Sequence, residues 1–259
     1  MSLLAIDIGN TNIVCGLFRH DQLVAEWRVG TDSSKTTDEY GMLMLDLLGI
    51  KNNSAEKVNA VVISSVVPPL TLMFEELAEQ YFQCMPLTIS SDMHTGLVLR
   101  YPNPREIGTD RIVNAAAAYR RYGGPIIIVD FGTATTFCVV TATGEYLGGA
   151  IAPGLRISAE ALFARAAKLP KVELTRPKSM IGQDTASSIQ AGIVFGYAGL
   201  VDHLVTGIQK ELGLDCFVLA TGGLAGLIAP ESRMIREVRP NLTLEGLALL
   251  YQLNRVPPT

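Results

Sequence analysis

The chain has 259 residues, 48% of them apolar and 18% charged, with 21 Lys and Arg against 25 Asp and Glu for a formal net charge of −4. This is enough apolar material for one large domain or two ordinary ones, and it excludes global disorder. The acidic balance, with no run of Lys or Arg, leaves no electrostatic footprint for nucleic acid.

In chain order, residues 3–7 are expected as a short buried strand, followed by the turn Gly9-Asn10-Thr11-Asn12. Residues 13–18 form a second strand, 20–22 a turn, and 23–29 a third strand with partial alternation. No basic cluster opens the chain and Asp7 ends its first apolar run, so no secretory leader is expected. A helix over 37–48 follows Thr36, Thr37 and Asp38 as caps. A buried strand over 58–67 leads to Pro68-Pro69, which start a helix running to Phe82. Residues 58–74 are the best candidate for a membrane span, but Asn59, Ser64, Ser65, Pro68 and Pro69 break them, well short of the ~18 uninterrupted apolar residues required.

An Ala-rich helix spans 110–122, and Gly123-Gly124-Pro125 marks a boundary between lobes 1–122 and 123–259. Then come a strand over 126–130, the turn 131–136, a strand over 137–141, the turn Thr143-Gly144 and a strand over 146–151. Residues 185–212 form a long apolar helix, expected as core with a share in a subunit interface at Gly192, Gly196 and Gly199. A buried strand over 215–220 ends in Thr221-Gly222-Gly223, and 242–253 form the last helix. Strands followed by helices imply an α/β architecture in two similar lobes.

Laid over one another at an offset of 123 residues, the first and second halves agree without a gap. Asp7 falls on Asp130, Gly9 on Gly132, Ile6 on Val129 and Cys15 on Cys138, and the turn at Asp21 meets Thr143-Gly144. Such a spacing signals a duplicated domain rather than a solenoid repeat of 20–50 residues. In each copy an Asp ends a buried strand and a glycine turn rich in hydroxyl or amide side chains follows. Without a Cβ, the glycine lets backbone N–H groups approach a ligand, which suits a phosphate held without much positive charge. Asp7 and Asp130 are able to orient a metal ion, directly or through water. Thr221-Gly222-Gly223 is a third backbone-exposing turn, fit to lie against an adenine or ribose. Neither a P-loop nor a G-x-G-x-x-G fingerprint occurs.

Gly108-Thr109-Asp110-Arg111 opens the Ala-rich helix. An acidic residue there is ordinary helix-dipole chemistry, worth about 0.3–1 kcal/mol, but an Arg gains nothing from it. Arg111 suits a two-pronged grip on a substrate carboxylate, and Asp110 suits accepting a proton from a substrate hydroxyl. Tyr101 lies in a loop just upstream, and Asp184 or Thr185 is a normal N-cap for the long helix. Cys15, Cys84, Cys138 and Cys216 form no C-x-x-C pair and read as reduced, buried thiols. His20, His94 and His203 are too scattered for a zinc site.

These motifs resemble the ASKHA superfamily of acetate and sugar kinases, heat-shock chaperones and actin. Taken together, residues 7–12, Gly108-Thr109-Asp110-Arg111, residues 130–135, Gly154 and Thr221-Gly222-Gly223 closely resemble the type III pantothenate kinase family along essentially the whole chain. The resemblance implies duplicated ribonuclease H-like (actin-like ATPase) lobes, with mixed sheets flanked by helices, and ATP-dependent phosphorylation of pantothenate. It implies that Asp7, Ile8, Gly9, Asn10, Thr11, Asn12, Ile13, Val14 and Thr133 bind ATP. Asp110 is then the proton acceptor. Tyr101, Gly108, Thr109, Asp110, Arg111 and Thr185 hold pantothenate. Asp130 binds a monovalent cation, K⁺ or NH₄⁺, and Mg²⁺ accompanies the nucleotide. Members are cytoplasmic homodimers, with no membrane or nucleic-acid partner expected. Two rivals remain at this point: a kinase for another small alcohol, and a regulatory or accessory protein that binds nucleotide on the same fold.

Overall fold

The computed structural model describes residues 2–51, 57–166 and 168–255. The strands are β1 (Ser2–Ile8), β2 (Asn12–Arg19), β3 (Gln22–Gly30), β4 (Ala60–Ser65), β5 (Leu87–Thr88), β6 (Val98–Leu99), β7 (Ile126–Phe131), β8 (Ala134–Val140), β9 (Glu145–Pro153), β10 (Phe217–Thr221) and β11 (Glu237–Val238). The helices are α1 (Thr37–Lys51), α2 (Pro68–Phe82), α3 (Thr109–Tyr122), α4 (Leu155–Arg165), α5 (Thr185–Leu212), α6 (Ala225–Ile228) and α7 (Leu242–Asn254).

Backbone contacts group the chain into two compact units. One comprises the described residues of Met1–Leu97, Pro102–Ala117 and Leu242–Thr259; the other comprises those of Val98–Tyr101 and Ala118–Asn241. The final helix therefore groups with the first unit, and the grouping changes within α3 at Ala117–Ala118.

The first unit is built on a sheet of order β3-β2-β1-β4-β5 and the second on a sheet of order β11-β10-β7-β8-β9-β6. Read from β9 to β11, the second sheet repeats the first strand for strand. In both, the first two strand pairs are antiparallel and the next two parallel. The repeat is also metrical: β9 starts and ends 123 residues after β3, and β7 ends 123 residues after β1. Duplicated ribonuclease H-like lobes are thus visible in the backbone, with β6 added beyond β9.

The central strands are buried on both faces, so they read as unbroken apolar runs. On one face of the first sheet, Leu4, Ile6 and Ile8 pack with Trp27, Tyr40, Ile63 and Phe74. On the other face, Leu3, Ala5 and Val62 meet Val113 and Ala116 of α3 and Leu244, Leu247 and Leu250 of α7. The edge strand β3 has one wet face and alternates accordingly. In the second unit, Val129, Phe131, Phe137 and Val139 pack with Ile193, Val194, Tyr197, Val201 and Val205 of α5.

By length and composition α5 is able to cross a membrane, but the side that carries these five residues belongs to the core of the second unit. Gly192, Gly196 and Gly199 lie on its exposed side with open space beside them. Asp184, rather than Thr185, caps α5. Its carboxylate accepts from Ser187 N at 2.8 Å, and Ser187 Oγ accepts from Asp184 N at 3.2 Å, a reciprocal capping box.

Two elements differ from expectation. The turn expected over 131–136 is only Gly132-Thr133, because Thr135 pairs with Phe131 and Thr136 with Asp130 across the ladder. The branched threonines fit the pleat, so β8 starts early. Helix α4 escaped the sequence reading because Leu155 is its only buried residue, which leaves no apolar stripe to read. Of the four cysteines, Cys15, Cys138 and Cys216 are buried as expected, whereas Cys84 is only half-buried. Burial, followed by the nearby Asp7 charge, holds the Cys15 thiol far above its ordinary range, so it is an inert core group.

Thr135 is fully buried, and its hydroxyl has no partner among the described residues. An unsatisfied buried hydroxyl is costly, so Thr135→Val is expected to stabilise the fold by about 1 kcal/mol, read as a higher denaturant midpoint.

Candidate active site

In the first unit, β1 and β4 run in parallel with Asp7 opposite Ser64 and Ile8 opposite Ser65. The pairing of β1 with β2 sets Asp7 opposite Val14 and Ile8 opposite Ile13, so residues 9–11 turn at the carboxyl end of β1. Gly9 N donates to Asn12 O at 3.0 Å. Thr31 closes the turn from outside: its Oγ1 donates to Gly9 O at 2.6 Å and its N to Thr11 O at 3.1 Å. Asn10 and Thr11 are exposed, while Asp7, Asn12 and Val14 are half-buried and Ile8 and Ile13 belong to the core. Sequence reasoning missed Thr31, a lone threonine after an edge strand that carries no motif.

The second element of this site is the start of α3. Thr109 Oγ1 donates to Ser65 O at 3.1 Å, accepts from Ser65 N at 3.2 Å and lies 3.0 Å from Ser64 Oγ. These contacts bring Gly108-Thr109-Asp110-Arg111 to the strand end beside the one that carries Asp7. Asp110 Oδ1 accepts from Arg111 N at 2.8 Å. It folds back over Gly108, where a Cβ would lie only 2.5 Å from that oxygen, so glycine makes room for the carboxylate. Burial pushes the Asp110 carboxyl above its ordinary value, against the weaker opposing pull of the Arg111 backbone N–H and guanidinium. Arg111 itself is buried, at 9% exposure. A carboxyl raised in this way is a better proton acceptor than an ordinary one.

In the second unit, Asp130 lies opposite Thr221 on β10 and Thr136 on β8. Gly222 has φ +90°, and a Cβ there would collide with Asp130 Oδ1 and come within 2.7 Å of the Phe131 backbone. The Thr221-Gly222 turn therefore presses its backbone against the Asp130 carboxylate. Thr133 is exposed in a turn closed by Gly132 N donating to Ala134 O at 3.1 Å. The Tyr101 ring covers Gly148, with Cε2 at 3.2 Å from where a Cβ would stand. Thr185 is exposed in the first turn of α5.

The sequence profile of the type III pantothenate kinase family matches residues 3–207. The chain is 54% identical to the type III pantothenate kinase of Geobacter sulfurreducens over 253 residues, which is 98% of this chain and 99% of that one. The chain belongs to the type III pantothenate kinase family. Two solved structures share the fold at low identity. One is a Campylobacter jejuni protein assigned to the Baf family of transcriptional activators, with TM-score 0.60, 18% identity and coverage of 97% and 98% of the two chains. The other is the inorganic polyphosphate/ATP-glucomannokinase of an Arthrobacter strain, with TM-score 0.52, 14% identity and coverage of 98% and 99%.

A type III pantothenate kinase is a phosphotransferase that uses ATP, and transfer from ATP calls for a divalent metal. The second unit offers a fitting place for a hard cation. Gly222 leaves no Cβ beside Asp130 Oδ1, and Thr136 pairs with Asp130 across the sheet, while the hydroxyl of Thr221 donates to Arg239 O at 2.7 Å. No group of three or more His, Cys, Asp or Glu capable of holding a metal exists among the described residues. Mg²⁺ needs few protein ligands, because it keeps several waters and is held largely through the phosphates of its substrate.

Proposed function

We propose that this kinase transfers the γ-phosphoryl group of ATP to the primary alcohol of pantothenate, giving 4′-phosphopantothenate and ADP, the first step of coenzyme A synthesis. The observation that carries the reading is 54% identity to a type III pantothenate kinase over nearly the full length of both chains. The half-buried Asp110 with its raised pKa supports it.

Asp110 takes the proton of the pantothenate hydroxyl as its oxygen attacks the γ-phosphorus. The bond from that phosphorus to the β,γ-bridging oxygen breaks, and ADP leaves with the electron pair. Gly108, Thr109 and Arg111 hold pantothenate, with the Arg111 guanidinium paired to its carboxylate, and Tyr101 and Thr185 add contacts. The turn after β1, from Asp7 to Val14, binds ATP through its backbone and short polar side chains, and Thr133 joins it. Asp130 binds a monovalent cation, K⁺ or NH₄⁺. When bound, Mg²⁺ neutralises charge on the phosphates. The same reading takes the protein to be a cytoplasmic homodimer acting on a small molecule, without nucleic acid or membrane as partner.

The test is ADP release with ATP, Mg²⁺ and K⁺ across a panel of small alcohols. Pantothenate is expected to give the highest kcat/KM by at least about a hundredfold, because its carboxylate adds a charge-assisted hydrogen bond to the buried Arg111 that neutral alcohols cannot make. A sugar or polyol that outruns pantothenate would replace this reading with the rival kinase.

A further inference from the structure

The geometry points to Ser64 as the positioning residue for the catalytic base, acting on Asp110 through the hydroxyl of Thr109. The inference rests on the activity proposed above. Ser64 lies next to the end of β4, fully buried, opposite Asp7 on β1. Its Oγ stands 3.0 Å from Thr109 Oγ1.

The direction of that bond follows from counting. A hydroxyl has one hydrogen and two lone pairs. Thr109 spends its hydrogen on Ser65 O at 3.1 Å and one lone pair on Ser65 N at 3.2 Å. Only an acceptor site is left, so Ser64 donates. The Thr109 hydroxyl is then saturated, and the first residue of α3 is fixed at three points to the end of β4.

The two neighbours of Thr109 carry the consequence. Gly108 vacates the space into which Asp110 folds, and Asp110 Oδ1 is held by Arg111 N at 2.8 Å. A shift of Thr109 moves both the vacated space and the carboxylate. Because Ser64 sits beside Asp7 in the ladder, the same hydroxyl sets the base at a fixed offset from the strand that ends in the phosphate turn. Misplacement of a reacting group by about 1 Å costs on the order of a hundredfold in rate.

Four proteins decide it: wild type, Ser64→Ala, Thr109→Val and the double variant, each assayed for phosphopantothenate formation. Ser64→Ala is expected to lower kcat about tenfold while KM for ATP stays within about threefold, since the nucleotide turn is untouched. In the Thr109→Val background the same change is expected to cost less than about twofold, because the intermediary is already gone. A merely structural serine would lower the melting temperature and leave kcat per folded enzyme alone.

The inference is overturned if Ser64→Ala keeps kcat within twofold, or if its full loss recurs on Thr109→Val. Should Ser64→Ala fail to fold, Ser64→Cys keeps the shape with a weaker donor and enters the same cycle. A folded wild type that forms no phosphopantothenate overturns the activity and this inference together. An active wild type with uncoupled Ser64 overturns this inference alone.

Discussion

Asp110→Asn is expected to lower kcat for pantothenate by about 10²–10⁴-fold, the range for removing a general base, while KM for ATP changes little. The amide keeps the shape and still accepts from Arg111 N, so the loss reports proton transfer rather than collapse of the turn. Burial raises the Asp110 carboxyl in the folded protein, with Arg111 pulling the other way. The base works only when ionised, so the acid limb of kcat is expected above the ordinary carboxylate range of about 3.9, and Asp110→Asn flattens it.

Stability should move in the opposite direction. With its folded pKa above the unfolded one, Asp110 costs nothing below about pH 4, where both states are protonated. The cost grows as pH rises through the folded pKa and is complete above it. At pH 7, Asp110→Asn is therefore expected to melt higher than wild type, with the gap closing on acidification. A thermal melting series from pH 4 to 7 checks this, and an Asn variant that melts lower at pH 7 contradicts the burial argument.

Gly222→Ala is expected to damage both the stability of the second unit and its proposed cation site. Two costs add. The backbone at φ +90° disfavours any side chain by about 1–2 kcal/mol, and the new Cβ would overlap Asp130 Oδ1 and crowd the Phe131 backbone. A total loss of about 3 kcal/mol is expected, read as a fall in melting temperature of roughly 6–12 °C. Relief by movement of Asp130 displaces the carboxylate proposed to hold the cation, so KM for ATP should rise at least about tenfold. Ala at the neighbouring Gly226, which has φ outside the left-handed range and open space beside it, serves as the control.

What was legible in the sequence has physical reasons. Strands buried on both faces, such as β1 and β7, announce themselves as continuous apolar runs, and the 123-residue offset between Asp7 and Asp130 carries over to the ladder of β3 and β9. Pro68 at the start of α2 and Asp184 before α5 mark helix ends through chemistry that is local to the chain. Helix α4 has a single buried residue and so no periodicity, and two-residue strands such as β5, β6 and β11 are below any pattern.

The candidate site divides in the same way. Gly108-Thr109-Asp110-Arg111 was readable because a carboxylate, a guanidinium and a glycine stand together in sequence. Thr31, Ser64 and Ser65 were not, because their partners lie 22 to 45 residues away and exist only once the sheet has its register. Gly222 was legible as a turn, but its collision with Asp130 depends on the parallel pairing of β10 with β7.

The most direct test is to incubate the purified protein with ATP, Mg²⁺, K⁺ and pantothenate and to identify the products by mass and by phosphorus NMR. The account predicts one 4′-phosphopantothenate for each ADP released, with the phosphate on the primary alcohol. ADP release without a phosphorylated pantothenate, or no turnover by folded protein that binds ATP, would contradict it and favour the nucleotide-switch reading.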